Sequence, residues 1–260
     1  MKKTKKCCDP VQPHFSPRAT SGSTIAVMAS ASSPPPPQCT ASGPWYAGVP
    51  PYSKNNLIGI QATIKTVYGK LCMEPSGTAA AFQVAWAGIG NTTNGTIWAQ
   101  MGWGKERSEG SRSISQYRYC ENKYNPNIRE LSFYDNANPP ANGSSHTYRC
   151  ELDKSTGKWT YYDGTTYVTS LQGPQTSDND WINNTGNSFR LTGEIHNFED
   201  DMPGTASNPC DFSSCQYKTE SGGYTGIGIA AADVKSDNNT EWTAKWISAT
   251  EFQIWDNSPN

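Results

Sequence analysis

The sequence is poor in charged residues, which make up only 17% of its 260 positions and leave a net charge of −2. A nucleic-acid-binding protein usually presents a basic surface to the phosphates, so we expect no nucleic-acid partner. The chain also lacks any apolar run near the roughly 18 residues that a membrane-spanning helix needs, so no membrane partner is expected. Sustained apolar repeats at the helical period are absent as well, which excludes a predominantly helical protein.

Metal-binding patterns are equally scarce. The eight cysteines show no paired C-x-x-C spacing, and three scattered histidines are too few for a three-histidine zinc site. We therefore expect neither a metal nor another cofactor. His196 with Glu199, Asp200 and Asp201 is an alternative cation site, although such clusters are more often solvated loops. The Asp/Asn-rich stretch 177–187 is a further calcium candidate, but it lacks the terminal glutamate of an EF-hand loop.

Proline is concentrated at the N-terminal end, where residues 1–52 hold 10 of the 18 prolines. Residues 1–42 include the run SSPPPPQ and little that could form a core, so we expect a disordered leader or linker. The basic start MKKTKK is followed by a short apolar run only from Thr24, which leaves a poor signal peptide, a misplaced start and a flexible leader all open. The folded domain is expected to span residues 43–260.

Cysteines and glycosylation sequons favour secretion into an oxidising compartment. The N-x-S/T sequons begin at Asn91, Asn94, Asn142, Asn183 and Asn238. Cys210 and Cys215 bracket the short stretch DFSS and are expected to form a local disulfide. Two further pairs are expected, Cys120–Cys150 and Cys39–Cys72.

Short alternating segments are abundant, together with 9 Trp, 13 Tyr and 23 Gly. In GIQATIKTVY the apolar Ile60, Ala62 and Ile64 face one way, while Gln61 and Thr63 face the other. Similar segments follow at intervals that are punctuated by Gly, Asn, Pro or Ser. Many short strands at this spacing predict one all-β domain, an antiparallel β-sandwich or jelly roll.

Two of the alternating segments place polar side chains opposite their apolar set. In TIWAQMGWG the alternation puts Gln100 on the outward face, and in FRLTGEIHNF it does the same for Glu194 and His196. Gly193 predicts a bulge or a close approach to the backbone beside Glu194. The simpler alternatives are a solvent-facing strand around Gln100, and an ion pair of Glu194 with Arg190 or with a cross-strand lysine.

The motifs AWAGIG, WAQMGW and LTGEI, in this order on an all-β chain of this size, resemble the glutamic peptidases and the related neprosin peptidases. The resemblance runs over residues 55–255 in motif order and implies a sandwich like that of the legume lectins. It also implies that Gln100 and Glu194 are a catalytic pair on adjacent strands. Neprosins have a glutamate at the first position, so this mixture of motifs indicates a divergent member.

The resemblance implies a metal-independent acid endopeptidase that acts on polypeptides. Glu194 is expected to take a proton from water and to return it to the departing amine. Gln100 is expected to orient the water and to donate to the oxyanion. The expected substrate-binding residues around this pair are Trp86, Trp98, Tyr119, Glu121 and His196. We expect a monomer that works best in mildly acidic solution and needs no cofactor.

Two other function classes fit the same sequence. A carbohydrate-binding module stacks sugars on exposed aromatic residues, for which the candidates are Trp98, Tyr117, Tyr119 and Tyr161. A glycoside hydrolase needs two carboxylates across a groove, and Glu121 is the available partner for Glu194. A binding module predicts no loss of function in Glu194→Gln, whereas both enzymes predict a severe loss.

Overall fold

The computed structural model describes residues 38–39, 42–73, 81–91, 98–107, 113–125, 128–134, 138–172 and 187–259. Nearly all of the expected leader lies outside these residues, so its disorder and the domain boundary at residue 43 stay predictions. Most of the Asp/Asn-rich stretch 177–187 also lies outside them. In the described part of the chain, no helix has the length and apolar character that a membrane crossing requires.

The described residues form two sheets, of which the first contains seven antiparallel strands. Their spatial order is β14 (Lys235–Ser236), β1 (Ser42–Ser53), β10 (Asn187–Asn197), β3 (Ala81–Asn91), β4 (Trp98–Arg107), β5 (Ile114–Asn125) and β6 (Ile128–Tyr134). The central strands β10, β3, β4 and β5 pair over long, regular registers. This sheet therefore provides a rigid surface on which side chains hold fixed relative positions.

The second sheet has nine strands in the part of the chain that the structure describes. Eight follow the spatial order β15 (Trp242–Ser248), β16 (Glu251–Asp256), β11 (Gly204–Thr205), β12 (Asn208–Thr219), β2 (Leu57–Lys65), β7 (Ser145–Asp153), β8 (Lys158–Asp163) and β9 (Thr166–Gln172). The ninth, β13 (Tyr224–Gly226), pairs with β12, and a single 3-10 turn among the described residues covers Ala231–Asp233. Pairing is antiparallel except between β11 and β16.

The inner faces of the sheets pack against each other as the alternation in the sequence predicts. Ile60, Ala62 and Ile64 of β2 are buried, whereas Gln61 and Thr63 are partly exposed. The fully buried aromatic side chains of this core include Trp103, Trp159, Trp242, Phe212 and Phe252. The prediction of an all-β antiparallel sandwich is confirmed, and the other face of the first sheet is left for a functional site.

One of the predicted disulfides is formed. Cys39 and Cys72 are bonded, with Cα atoms 5.2 Å apart. The predicted Cys210–Cys215 bridge is wrong, because both cysteines are free and buried. They lie in β12 itself, which runs through both positions with a bulge between Ser213 and Gln216, so neither thiol reaches the other across a turn.

The predicted Cys120–Cys150 bridge is also wrong, since both thiols are free. Cys120 lies on β5 of the first sheet and Cys150 on β7 of the second. The Cys120 thiol donates to the carbonyl of Ser132 at 3.7 Å, and the Cys150 thiol to that of Ala99 at 3.8 Å. Both thiols therefore behave as small buried donors in this core.

Candidate active site

The outward face of the first sheet carries glycines where its centre would otherwise bear side chains. A Cβ at Gly88 of β3 would lie 2.9 Å from the Trp86 ring, and one at Gly104 of β4 would lie 2.5 Å from the Tyr117 ring. The two aromatic rings therefore lie close over bare backbone. Because glycine has no side chain at these positions, the rings of Trp86 and Tyr117 can lie close against the sheet, and space remains above the strands between β10 and β5.

Glu194 lies on this face of β10, between Tyr46 of β1 and Val84 of β3. Its Oε2 accepts a hydrogen bond of 2.8 Å from Nε1 of Trp86. Burial raises the pKa of Glu194, while the Trp86 hydrogen bond and the nearby Arg190 guanidinium lower it and only partly offset the burial. The result is a carboxyl group that takes up a proton more readily than an exposed glutamate does.

The surroundings of Glu194 settle two expectations about this strand. The Arg190 guanidinium lies over the Tyr46 ring, 3.5 Å from its centroid, instead of forming the ion pair with Glu194 that was the simpler alternative. A Cβ at Gly193 would lie 2.3 Å from Cδ1 of Ile254 in the second sheet. The predicted close approach at Gly193 is therefore confirmed, and its pairing with β3 continues without a bulge.

Gln100 lies on the same face of β4, directly opposite Glu121 of β5. Its Nε2 donates to Oε2 of Glu121 at 3.1 Å, and Nε of Arg129 on β6 donates to Oε1 of the same carboxylate. A carboxylate paired with a guanidinium can only accept, so it selects the NH2 end of the Gln100 amide. One N–H of that group is thus bound to Glu121, and the second is left for another acceptor.

Gln100 and Glu194 do not lie on neighbouring strands, so that part of the prediction is wrong. The strand β3 runs between β4 and β10, with Gly88 opposite Gln100 and Val84 opposite Glu194. Their backbones are offset by about 10 Å across the strands and about 13 Å along them. Alternation shows which face a side chain occupies, but strand order depends on long-range pairing that it does not record.

The two side chains meet instead at one cavity, which has a volume of about 190 Å³. Its polar lining consists of Gln100, Glu106, Tyr117, Tyr119, Glu121, Arg129 and Glu194. Its apolar lining consists of Phe82, Val84, Leu131 and Phe133. Gln100 and Glu194 therefore line one shared space.

The expected substrate-binding residues divide into two groups. Tyr119 and Glu121 line the cavity, and Trp86 is bound to the carboxylate of Glu194. The structure places the other two at opposite ends of the same face, outside the cavity lining. They are Trp98, whose ring centroid is 5.0 Å from Nζ of Lys123, and His196, which stacks on Phe82 with ring centroids 5.2 Å apart.

Sequence reasoning missed two charged residues of the cavity, Glu106 and Arg129. Burial raises the pKa of Glu106, and the Tyr117 hydroxyl donates to its Oε2 at 3.4 Å. Glu106 lies six residues after Gln100 on one strand, so the alternation that identified Gln100 could have found it. Arg129 carried no comparable signal, because IRELSFY has apolar residues on both of its faces.

The acidic residues just after β10 have a different use. Asp200 accepts hydrogen bonds from the backbone N–H groups of Cys72 at 2.9 Å and Asn197 at 3.1 Å. Asp201 accepts one from the backbone N–H of Lys70 at 2.8 Å. These carboxylates fasten two loops together, which argues against the alternative of a cation site at this cluster.

The aromatic residues considered for sugar stacking are less exposed than that alternative requires. Tyr161 is buried in the core, where its hydroxyl donates to the carbonyl of Glu121 at 3.0 Å. Tyr117 is only 8% exposed and Tyr119 only 3%. The expectation that these three tyrosines present open stacking surfaces is therefore wrong, because they pack against the sheet or into the core.

No protein-family model matches the chain, and no curated protein matches it by sequence. Among solved structures, scytalido-glutamic peptidase in complex with transition-state analogues is 15% identical, over 83% of this chain and 100% of the peptidase, with a TM-score of 0.47.

Two carbohydrate-active enzymes are also similar in structure. A GH16 enzyme of Bacteroides ovatus in complex with the product G4G4G3G is 17% identical, over 56% of this chain and 57% of the enzyme, with a TM-score of 0.30. The kappa-carrageenase of Pseudoalteromonas carrageenovora is 11% identical, over 78% of this chain and 65% of the enzyme, with a TM-score of 0.25. Similarities at this level say nothing about the activity of this chain.

Proposed function

We propose that this protein is a glutamic-type endopeptidase, a divergent relative of the glutamic and neprosin peptidases, and that it hydrolyses polypeptides in acidic solution. One observation carries the proposal: a partly buried carboxyl group and an oriented primary amide line the same cavity. A proton acceptor and a neutral hydrogen-bond donor are the two groups that water needs in order to attack a peptide bond.

In the proposed reaction, the carboxylate of Glu194 takes a proton from water as the water oxygen bonds to the peptide carbonyl carbon. The electron pair of the C=O double bond moves to its oxygen, and the second Nε2–H of Gln100 donates to that oxyanion. When the C–N bond breaks, Glu194 returns the proton to the departing amine. The side chains thus need to supply only one titrating group and one donor.

The neighbours of the pair fit these two roles. The Trp86 indole holds one oxygen of Glu194, which leaves the other oxygen free to face the cavity. Glu121 and Arg129 hold Gln100 so that its NH2 end is fixed by the carboxylate. Because the pKa of Glu194 is raised by burial, its protonated form is accessible in mildly acidic solution and can act as the acid in the second step.

We further propose that the protein is a secreted monomer. Export to an oxidising compartment is supported by the Cys39–Cys72 disulfide, since such bonds persist mainly outside reducing compartments. A small cavity formed within one chain is consistent with a site that needs no second subunit.

A glycoside hydrolase is the second candidate, because Glu121 and Glu194 both line the cavity. Retaining and inverting glycosidases use two such carboxyl groups, one of which must donate a proton. Both oxygens of Glu121 are already bound, one by Arg129 and one by Gln100. A carboxylate held in this way is poorly suited to act as an acid or a nucleophile, so we favour the peptidase.

The test incubates the full-length protein and its Glu194→Gln variant with an unfolded protein and, separately, with a soluble β-glucan between pH 3 and 7. If the proposal is correct, the wild-type enzyme cuts the unfolded protein substrate and leaves the glucan intact. The Glu194→Gln variant cuts neither substrate. Cleavage of the glucan alone, lost in Glu121→Gln as well, would establish the glycosidase. If wild-type protein cuts neither substrate, or if Glu194→Gln cuts equally well, the peptidase proposal is wrong.

A further inference from the structure

Tyr119 has a buried hydroxyl group that the reaction described above does not use. The residue is only 3% exposed, and among the described residues its Oη has no hydrogen-bond partner. Buried hydroxyl groups are nearly always hydrogen-bonded, because an unmet donor destabilises the folded protein. The other tyrosine of the cavity follows this rule, since the Tyr117 hydroxyl is bound to Glu106.

The position of Tyr119 on β5 lies between the two halves of the candidate pair. It is directly opposite Gly102 of β4, two residues along from the position where Gln100 faces Glu121. Two residues further in the other direction is the row of Gly104 and Val84, to which Glu194 belongs. Since Gly102 has no side chain, nothing on β4 separates the Tyr119 ring from the middle of the cavity.

The electrostatic surroundings of the hydroxyl agree with this central position. Burial raises the pKa of Tyr119 well above that of an exposed tyrosine, and the charges of Glu194 and Glu121 raise it further. The hydroxyl therefore keeps its proton throughout the range in which a glutamate titrates. It is a permanent donor that lies within the fields of both carboxylates.

We propose that Tyr119 is a third catalytic residue of the peptidase, whose hydroxyl donates to the substrate oxyanion together with Gln100. This inference rests on the function proposed above. In the attack step the new C–O bond forms and the proton of water passes to Glu194, while the developing negative charge on the carbonyl oxygen accepts from both donors. Tyr119 keeps its proton throughout, and its donation weakens again when the C–N bond breaks and the carbonyl re-forms.

The test compares wild-type protein with Tyr119→Phe, which removes only the hydroxyl group. Tyr148→Phe is the matched control, because Tyr148 is equally buried but lies in the core on β7 of the second sheet. Steady-state cleavage of an internally quenched peptide is measured from pH 3 to 7, and thermal unfolding is followed in parallel. We expect kcat of Tyr119→Phe to fall about 100-fold with little change in KM, as for loss of one oxyanion donor.

Two further readouts separate catalysis from a structural role. Tyr119→Phe should unfold at the wild-type temperature or above it, because the substitution removes an unmet buried donor. The acid limb of its kcat profile should stay in place, whereas a hydroxyl that only held the Glu194 carboxylate would shift that limb when removed. Wild-type kcat in Tyr119→Phe, a shifted limb, or an equal loss in Tyr148→Phe would overturn the inference while leaving the peptidase proposal intact. A wild-type protein without peptidase activity would overturn both.

Discussion

Two groups of carboxyl groups in the interior have different partners, although Glu194 of one group lies only six residues before Asp200 of the other. After β10, Asp200 accepts hydrogen bonds from the backbone N–H groups of Cys72 and Asn197, and Asp201 accepts one from that of Lys70. On β10 itself, Glu194 is held by an indole, and on β5 Glu121 is held by an amide and a guanidinium. The first group holds the chain together, whereas the second is held in place by side chains around a cavity.

This difference shows that burial of an acid does not by itself indicate catalysis. Burial raises the pKa of Asp200 to about 6 and also raises the pKa of Glu194, so a raised pKa does not distinguish these two acids. The type of partner does separate them. A carboxylate whose oxygens accept hydrogen bonds from backbone N–H groups has no oxygen available for a substrate. Its loss should therefore destabilise the protein and not abolish the activity of the folded molecules.

The strongest test of this comparison replaces one acid of each kind in two separate variants. Glu194→Gln should lower kcat by at least about 100-fold, the effect of losing a general base, and leave the unfolding temperature nearly unchanged. Asp200→Ala should do the opposite, because it leaves buried N–H groups unmet and costs about 2–4 kcal/mol of unfolding free energy.

The measurements for this test are peptide cleavage and thermal unfolding of both variants, with kcat expressed per folded molecule. If Asp200→Ala abolishes the activity of the folded enzyme, or if Glu194→Gln unfolds it, then the division between structural and catalytic acids does not hold.

Within the cavity, substitutions of Gln100 and Glu121 should differ in how far they lower kcat. Gln100→Ala removes the oxyanion donor and should lower kcat by about 100–1,000-fold. Glu121→Gln keeps the shape of a side chain that only orients Gln100, so a loss of about 10-fold is expected. Steady-state kinetics on one peptide measures both, and a greater loss in Glu121→Gln than in Gln100→Ala would favour a two-carboxylate mechanism.

The pH dependence of activity should reflect the burial of Glu194. Because its carboxylate must be ionised to accept a proton, kcat/KM should rise through the pKa of Glu194 in the free enzyme. Burial raises that pKa, so the acid limb should lie at higher pH than the value of about 4.3 for an exposed glutamate. A profile measured between pH 3 and 7 with the limb at or below this value would contradict the burial of Glu194.

The smallest expected effect is on the stability of the folded protein. Protonation of Asp200 should stabilise the folded state, whereas in acid denaturation protonation of carboxylates destabilises it. The pKa of Asp200 is about 6 in the folded protein and 3.8 in an ordinary aspartate, so the folded state binds the proton more tightly. This contribution is fully present below the unfolded pKa and is lost as pH rises through the folded one. The unfolding temperature should therefore fall by about 3–10 °C between pH 4 and 7.

Thermal scans of wild-type protein and Asp200→Asn check this prediction. The variant cannot titrate at this position, so its unfolding temperature should change less over the same range. Identical slopes for the two proteins would show that Asp200 does not carry the effect.

Period-two alternation predicted much of the site, because it depends only on local backbone geometry. It placed Gln100 and Glu194 on outward faces, and the buried neighbours of these residues agree. The strand between Gln100 and Glu194 could not be predicted in the same way. Sheet order is decided by contacts between segments about 100 residues apart, for which the sequence contains no periodic signal.

The cysteines show a second limit of local reasoning. Asp, Ser and Pro around Cys210 and Cys215 are typical of a turn, but β12 runs through both positions with only a bulge between Ser213 and Gln216. Phe212 lies between them and stacks on Phe252 of β16, with ring centroids 4.5 Å apart. Tertiary packing of this kind outweighs the local preference for a turn and pulls the stretch into the sheet.

The four free thiols in the described part of the chain have a consequence for how the Cys39–Cys72 disulfide must form. Cys120, Cys150, Cys210 and Cys215 are all enclosed, and burial raises the pKa of the Cys120 thiol to about 12. Since the thiolate is the species that attacks disulfides, the folded protein is inert to exchange and alkylation at these positions. In the unfolded chain the same thiols regain ordinary reactivity and compete with Cys39 and Cys72 for partners. Refolding should therefore succeed when the chain first folds in the presence of reductant and the oxidant is added afterwards. The four thiols are then already buried and cannot form disulfides with Cys39 or Cys72.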